Sequence, residues 1–243
     1  MVKMLTGSAT SSPIFRPNKI IEFKTLRTLI QLAYKYEIPH LQQELKGRLD
    51  ARFSSTLKTW DEEASLQRLI AMRPRDVIAV VVLARAYGWD ALLPVALFEC
   101  TQLPKLDLIA SVTYAPGDAA QLSPDDIRLC LGALDPLAQR SWWVRELLLS
   151  ETVWDESECV TPNECRLARQ DIVRELAFSP DGTFHSTDPL ARTVQLVKSV
   201  IECIGIDLCS MCREEYEAQE GASRRLVWKD LGKMFGFPDW VGL

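Results

Sequence analysis

Four of the seven cysteines form two pairs whose spacing suits a metal site. Five residues separate Cys159 from Cys165, and two residues separate Cys209 from Cys212. Four thiolates supply the tetrahedral sulfur set of structural Zn²⁺ sites, and C-x2-C is a common half-site spacing. We therefore predict a structural zinc site at Cys159, Cys165, Cys209 and Cys212. The five-residue gap is irregular for zinc, so two alternatives stay open: reduced thiols buried in the core, and a disulfide or redox pair.

The other cysteines and the histidines do not indicate a second metal-binding or redox site. Cys100 and Cys130 lie within apolar helical patterns, so we expect both in the core as small hydrophobic side chains. Cys203 is expected to pack inward. His185 could replace a cysteine ligand, although a solvated loop histidine is the more ordinary interpretation. A thioredoxin-like role for the C-x2-C pair is excluded because no βαβ pattern surrounds it.

Residues for enzymatic chemistry are scarce. The chain has only two histidines, so few residues could act as the general base of a Ser–His or Cys–His pair. The sequence contains no Gly-rich phosphate loop, G-x-S-x-G elbow, H-E-x-x-H motif or dinucleotide fingerprint. The carboxylates stand at predicted helix starts and on polar faces, where a structural role accounts for them. We therefore predict no catalytic residues and no enzyme activity.

Two predicted helices bring the cysteine pairs together. A capping box at 161–164, with proline at the first helical position, begins the helix that carries Cys165. A turn at 179–182 precedes a second, long helix that is predicted to begin at 188–189. A connection this short favours antiparallel packing, so the start of the first helix should approach the end of the second, near Cys212. Their apolar faces are Cys165, Ala168, Ile172 and Leu176 on the first helix, and Leu190, Val194, Val197, Ile201, Ile204 and Leu208 on the second.

The rest of the chain also follows the 3.6-residue helical period, without convincing alternation of period two. We predict an all-α fold, a helical array of roughly ten helices. A proline at position 136 is expected to kink or end one of them, and 114–118 is expected to be a loop. The predicted helices, besides the two above, are 24–36, 39–53, one from Asp61 to Arg73, 74–88, one from Asp90 to about Thr101, one from Pro124 to Pro136, 142–149, and 223–235.

Composition is that of a globular protein. The 243 residues are 47% hydrophobic and 25% charged, which argues against disorder and against a membrane protein. The longest apolar run, Val77–Ala84, is too short to span a bilayer. Residues 1–13 lack the apolar stretch of a secretory signal, so we expect an intracellular protein of the cytoplasm or nucleus.

The net charge of −5 is unevenly distributed. Residues 1–60 carry ten Lys or Arg against four Asp or Glu, and residues 61–243 are acidic. A basic end can contact nucleic acid or an acidic partner. Here the basic residues recur at helical intervals among apolar ones, so a solvated helix face is the favoured interpretation and nucleic-acid binding is not expected.

Several segments resemble BTB/POZ-domain proteins of the mushroom-type fungal group. LIQLAYKYEI at 29–38 is similar to the last helical pair of the BTB domain. LLPVALFECTQLP at 92–104 and LSPDDIRLCL at 122–131 are similar to the BACK-like helical region that follows it. The resemblance continues through 208–212 and to Trp240. It implies a leader at 1–22, the BTB helical pair at 23–60, a BACK-like region at 61–155 and a Cys-bearing helical region at 156–243.

The resemblance implies a non-enzymatic protein–protein interaction module, a BTB-type scaffold or adaptor fragment. The earlier part of a BTB domain, with its small sheet and dimer-forming helix, has no counterpart in residues 1–22, so that family's dimerisation and cullin-docking surfaces are not carried over. The alternative is a zinc-stabilised nuclear regulator that contacts nucleic acid. The implied partner is another protein, and no membrane association is expected.

Two packing expectations follow. Without the earlier BTB elements, helix 24–36 should expose apolar side chains such as Leu26, Leu29 and Ile30, and could support self-association. The segment 225–240 should dock on the body, since Leu226, Trp228, Leu231, Met234, Phe235 and Trp240 provide a large apolar surface.

Overall fold

The computed structural model describes residues 20–65, 69–149, 159–177, 188–205 and 208–242. Within these ranges the fold is all-α, as predicted, with ten α-helices and four short strands. The helices are α1 (Phe23–Lys35), α2 (Pro39–Arg52), α3 (Leu57–Ser65), α4 (Asp76–Tyr87), α5 (Leu93–Thr101), α6 (Lys105–Ile109), α7 (Pro124–Leu149), α8 (Pro162–Ala177), α9 (Thr193–Ile204) and α10 (Ser210–Met234). The strands are β1 (Ile21–Glu22), β2 (Ile70–Ala71), β3 (Val112–Ala115) and β4 (Asp118–Ala120), and a 3₁₀ turn occupies Asp90–Leu92.

The centre of the molecule is formed by α4 and α5. Both helices are apolar on nearly all sides, and the runs 77–81 and 92–98 are buried throughout. A helix without a polar face must be covered by other elements on every side. The α1–α2 hairpin, α7 and the second half of α10 supply that cover. None of the described helices has both the length and the apolar composition needed to cross a bilayer.

A second, smaller apolar cluster lies between α8, α9 and the first half of α10. It contains Cys165, Ala168, Ile172, Val197 and Tyr216. The 25-residue helix α10 belongs to both clusters, because its first turns pack here and its last turns pack in the main core. α10 therefore connects the two hydrophobic regions of the chain.

Helix α1 does not expose its apolar face, contrary to the prediction for 24–36. Leu26 and Ile30 are fully buried, and Leu29 is partly buried. The cover comes from α2 and from the strands β1 and β2, which pair in parallel. On the same helix, the guanidinium of Arg27 contacts the carboxylate of Asp118, the first residue of β4, at 2.5 Å.

The segment 114–118 belongs to a β-hairpin rather than a loop. Strands β3 and β4 pair antiparallel, and Gly117 takes the positive φ of 76° at the turn between them. In β3, Val112 and Tyr114 are buried and their neighbours are exposed, which is the period-two pattern of a strand. Four residues are too few for that pattern to be recognised in the sequence.

Helix α7 continues through Pro136, so the prediction that a helix ends there is wrong. A proline removes one backbone donor and crowds the carbonyl four residues earlier, at a cost of about 3 kcal/mol. The buried stripe of Cys130, Ala133 and Leu137 continues past Pro136, which itself is exposed. Packing of that stripe against α5 and α10 offsets the cost.

Three helix starts differ from the prediction. α3 begins at Leu57 rather than at Asp61, and the segment before Pro74 contains β2 rather than continuous helix. α9 begins at Thr193, because the Asp188 carboxylate accepts a 2.8 Å hydrogen bond from the backbone N–H of Leu190 and forms a turn. α10 begins thirteen residues before the predicted 223, and it continues through Gly221. The predicted turn at 179–182 lies outside the described residues.

The segment 225–240 docks on the body, as predicted. Trp228, Leu231 and Phe235 are at most 1% exposed. Two polar contacts hold the segment: the indole N–H of Trp228 donates to the carbonyl of Ser55 at 2.8 Å, and that of Trp240 donates to the carbonyl of Ala91 at 3.0 Å. The prediction was wrong for Leu226, which is 49% exposed.

Candidate metal centre

The four cysteines predicted as ligands converge. The sulfur atoms of Cys159, Cys165, Cys209 and Cys212 all lie within 4.8 Å of one another. Cys159 Sγ is 3.8 Å from Cys209 Sγ and 3.4 Å from Cys212 Sγ. A tetrahedron with Zn–S bonds of about 2.3 Å requires sulfurs about 3.5–4 Å apart. The spacing of these sulfurs is therefore close to that of a four-thiolate metal site.

Each half-site stands at the start of a helix. Cys159 precedes α8, and Cys165 lies in its first turn. Cys209 is the N-cap residue of α10, and Cys212 lies in that helix's first turn. The partial positive charge at a helix N-terminus favours thiolates, so the backbone of both helices supports ionised sulfur.

Helix α9 sets the distance between the two half-sites. It packs beside α8 and ends at Ile204, with Gly205 as its C-cap in the left-handed conformation at a φ of 68°. The sequence placed Cys212 at the end of this helix. In the structure Cys212 instead belongs to α10, which begins at Ser210. Convergence of the half-sites was predicted, but two helix starts meet rather than a start and an end.

Hydrogen bonds from the backbone orient the sulfurs. The N–H of Cys209 donates to Cys165 Sγ at 3.3 Å, and the hydroxyl of Thr161 lies 3.3 Å from the same sulfur. Cys209 Sγ in turn accepts hydrogen bonds from the backbone N–H groups of Cys212 and Val160. Such contacts hold a metal-binding sulfur in place and increase its negative charge.

The protonation states of the thiols differ within the cluster. Burial opposes ionisation of Cys209, but the backbone N–H groups of Cys212 and Val160 and the neighbouring thiols of Cys212 and Cys165 lower its pKa to about 6. Burial raises the pKa of Cys212 well above its ordinary value, and hydrogen bonds to Cys159 and Cys209 add to the shift. Burial also raises the pKa of Cys159. A divalent cation must displace the protons that remain, so its affinity should rise with pH.

The positions of the four sulfur atoms can be compared with the two alternatives to a metal site, a disulfide or redox pair and independent core thiols. All seven cysteines are free thiols, and the closest pair, Cys159 and Cys212, is well beyond bonding distance. Independent core thiols would leave at least one pair pointing away, whereas all four sulfurs face one another. Cys165 and Cys212 are buried, and Cys159 and Cys209 are partly exposed, which leaves a route of entry from solvent.

The remaining predictions for single residues had mixed outcomes. Cys100 and Cys130 are fully buried, as predicted, and the Cys130 thiol points to the carbonyl of Leu97 at 3.8 Å. The prediction for Cys203 was wrong, because this side chain is exposed. It lies on the solvent side of α9, one residue away from the face that packs on α8. His185 lies outside the described residues.

Sequence analysis missed a buried ionic contact that joins distant segments. Arg224 on α10 forms a bidentate pair with Asp61 on α3, at 2.9 and 2.6 Å, and its Nε donates to the carbonyl of Leu190. Arg192 approaches the same carboxylate at 3.1 Å. The pair spans 163 residues of sequence, so no local pattern could have indicated it.

Polar side chains that line a cavity near Tyr114 form hydrogen bonds with one another. The cavity measures about 390 Å³ and lies beside the start of α1. The buried Asp76 carboxylate accepts hydrogen bonds from the Tyr114 hydroxyl at 2.9 Å and from Arg73 at 2.7 Å. Burial and this contact with Asp76 raise the pKa of Tyr114 well above its ordinary value. The hydrogen bond between Tyr114 and Asp76 attaches the β3–β4 hairpin to α4, so the role of these groups is structural.

A second cavity, which we call the Trp240 groove, lies between the C-terminal segment and the body. Its volume is about 580 Å³. One wall is the segment from Gly236 to Val241, and the other is formed by Ser55, Asp90 and Ala91. The hydrogen bond between the two walls, from Trp240 to Ala91, spans 149 residues of sequence, and no pattern in the sequence indicated the groove.

Comparison of the chain with protein-family models, with curated proteins and with solved structures found no match.

Proposed function

We propose that this chain is a non-enzymatic protein–protein interaction module of BTB type, whose C-terminal helices are held together by a structural zinc ion. The observation that carries the proposal is the closed set of four sulfurs from Cys159, Cys165, Cys209 and Cys212. Four protein ligands fill a tetrahedral site and leave no position for water or substrate. That is the arrangement of structural rather than catalytic zinc.

The ligand type and its setting favour zinc among the common metals. Four thiolates in a tetrahedron suit zinc or iron, whereas calcium and magnesium take oxygen ligands. The buried side chains of Ile172, Val197 and Leu208 belong to the same hydrophobic cluster as Cys165 and Cys212. An ion here would connect the start of α8 with the start of α10, and through α10 it would stabilise the main core.

Two features support the interaction role. The resemblance at 29–38, 92–104 and 122–131 is to a family that works through protein contacts. In addition, the Trp240 groove combines aromatic and acidic residues on an accessible surface. The acidic balance of residues 61–243 disfavours a phosphate backbone as the main partner.

The zinc centre is tested by metal content with a matched pair of variants. We expect one zinc per chain in protein that is purified without chelators. Cys209→Ser should lose the metal and unfold at a lower temperature, whereas Cys203→Ser, on the exposed side of α9, should keep both properties. Iron–sulfur absorption, or equal metal content in the two variants, would contradict the assignment.

The interaction role is tested with the zinc-loaded chain as bait. We expect a reproducible set of captured proteins that Cys209→Ser fails to retain and Cys203→Ser retains. Steeply salt-dependent binding of duplex DNA, with no retained protein, would favour the nucleic-acid alternative.

A further inference from the structure

The Trp240 groove has fixed walls. The indole N–H of Trp240 donates to Ala91, and the backbone N–H groups of Phe237 and Trp240 donate to the carbonyls of Gly232 and Phe237 at 2.7 and 3.0 Å. A side chain at Gly232 would come within 2.6 Å of the Phe237 carbonyl, so the close approach depends on glycine. A preformed cavity binds at a lower cost in conformational entropy than one that must be ordered by its ligand.

The charged side chains that line the Trp240 groove are all acidic. Asp90 and Asp239 line it, and no basic side chain does. Neither carboxylate forms an ion pair within the described part of the chain. Arg85 lies behind the Phe237 ring, 5.3 Å from its centroid, but its guanidinium pairs with Asp126 at 2.7 Å. A cleft lined by like charges beside apolar walls attracts the opposite charge.

The apolar part of the lining suits the stem of a long cationic side chain. Trp240 is half-buried, and Pro238 and Val241 are exposed beside it. A Lys or Arg cation is attracted to an indole face, and its methylene groups bury well on apolar surface. The volume, about 580 Å³, exceeds what one side chain fills and is in the usual range for a ligand site. A short stretch of peptide fits these dimensions, whereas the two carboxylates repel phosphate groups.

We infer that the Trp240 groove binds a basic peptide segment of a partner protein, with a Lys or Arg side chain over Trp240 between Asp90 and Asp239. The inference rests on the proposed interaction role and names the chemistry of the partner. Binding should weaken with salt, because exposed charge pairs are screened.

The test is an array of random nonapeptides probed with the full, zinc-loaded chain. We expect enrichment of peptides that carry Lys or Arg next to apolar residues. The double variant Asp90→Asn/Asp239→Asn should bind the enriched peptides about tenfold or more weakly, as the loss of charge pairs and a cation–π contact implies. The control Asp125→Asn/Asp135→Asn makes the same charge change on the exposed face of α7 and should bind normally.

Several outcomes would overturn the inference: enrichment of acidic or neutral peptides, equal binding by the two double variants, or oligonucleotide binding that the groove variant loses. Trp240→Leu gives an independent readout, and its zinc content and thermal unfolding show whether the segment stays docked. A groove variant that keeps zinc and captures the full set of wild-type partners would refute the groove assignment alone. A wild-type chain that captures no protein would refute the interaction role itself.

Discussion

The ion pair between Asp61 and Arg224 joins α3 to α10 across 163 residues of sequence. Both side chains are largely buried, at 13% and 8% exposed. Burial would raise the pKa of Asp61, but hydrogen bonds and charge from Arg224 and Arg192 outweigh it and lower the pKa below its ordinary value. A carboxylate with a depressed pKa stabilises the fold at neutral pH.

We predict that Asp61→Asn lowers the free energy of unfolding by about 2 kcal/mol at pH 7, because it leaves Arg224 buried without its charge partner. The difference from wild type should be complete above the unfolded-state pKa, near pH 4, and should shrink as the pH falls through the lower folded-state pKa. Urea unfolding of both proteins across the acid range measures it. Asp125→Asn, in an exposed pair with Arg128, is the control and should change stability by less than about 0.5 kcal/mol. A pH-independent difference would refute the electrostatic explanation.

Glu220, a second buried charged group on α10, contacts the start of α9. Its carboxylate accepts a 3.1 Å hydrogen bond from the backbone N–H of Val194 and one from the hydroxyl of Thr193. The latter hydroxyl also lies 2.5 Å from the hydroxyl of Tyr216. A carboxylate at a helix N-terminus satisfies unpaired donors and complements the helix dipole. This contact fixes α9 against α10, and with it the distance between the two cysteine half-sites.

Among the helices, α10 joins the cluster of four cysteines to the main core. Trp228 anchors this helix in the main core. The centroid of its ring lies 5.4 Å from that of Trp60 and 6.0 Å from that of Trp240. Because aromatic pairs contribute beyond the area they bury, this cluster holds the second half of α10 in place. The first half is held by Cys212, Tyr216 and Glu220.

We predict that Trp228→Ala lowers the free energy of unfolding by about 3 kcal/mol or more, through the cavity it creates and the hydrogen bond to Ser55 that it removes. Leu226→Ala is the matched control on the same helix, and its exposed side chain should contribute less than about 0.5 kcal/mol. Denaturant unfolding of the two variants compares them directly. Equal stability of the two would show that α10 is not anchored by Trp228.

At the scale of the whole molecule, the two hydrophobic clusters should differ in local stability. The main core contains the buried runs 77–81 and 92–98 of α4 and α5, whereas the cluster around Cys165 and Tyr216 is small. Small clusters supply little hydrophobic free energy, so a metal ion would be a large part of what holds α8 and α9.

We predict that chelation of the metal speeds amide hydrogen exchange in α8, α9 and the first half of α10, and leaves α4 and α5 protected. Mass-spectrometric exchange on chelated and zinc-loaded protein gives this comparison by segment. Uniform loss of protection would mean that the two clusters unfold as one unit. No change anywhere would mean that the fold does not depend on a metal at these sulfurs.

Local sequence patterns were enough to predict most of the helices and the spacing of the candidate ligands. Apolar residues recur at helical intervals in 24–36 and 39–53, and turn residues and caps such as Ser123 mark helix ends; these are local signals. The structure shows α1, α2 and the start of α7 close to the predicted positions, and the Ser123 hydroxyl accepts the N–H of Asp126 at 3.1 Å.

The elements that cover those helices, and the residues that the helices bring together, depend on contacts between distant segments. Besides α2, the strands at 21–22 and 70–71 cover α1, and each contains too few residues to be recognised in the sequence. The continuity of α7 through Pro136, the early start of α10, the meeting of two helix starts at the cysteines and the walls of the Trp240 groove all depend on residues far apart along the chain. Helix propensity acts within a few residues, whereas burial and ion pairing act between segments, so these features are fixed only when the chain packs.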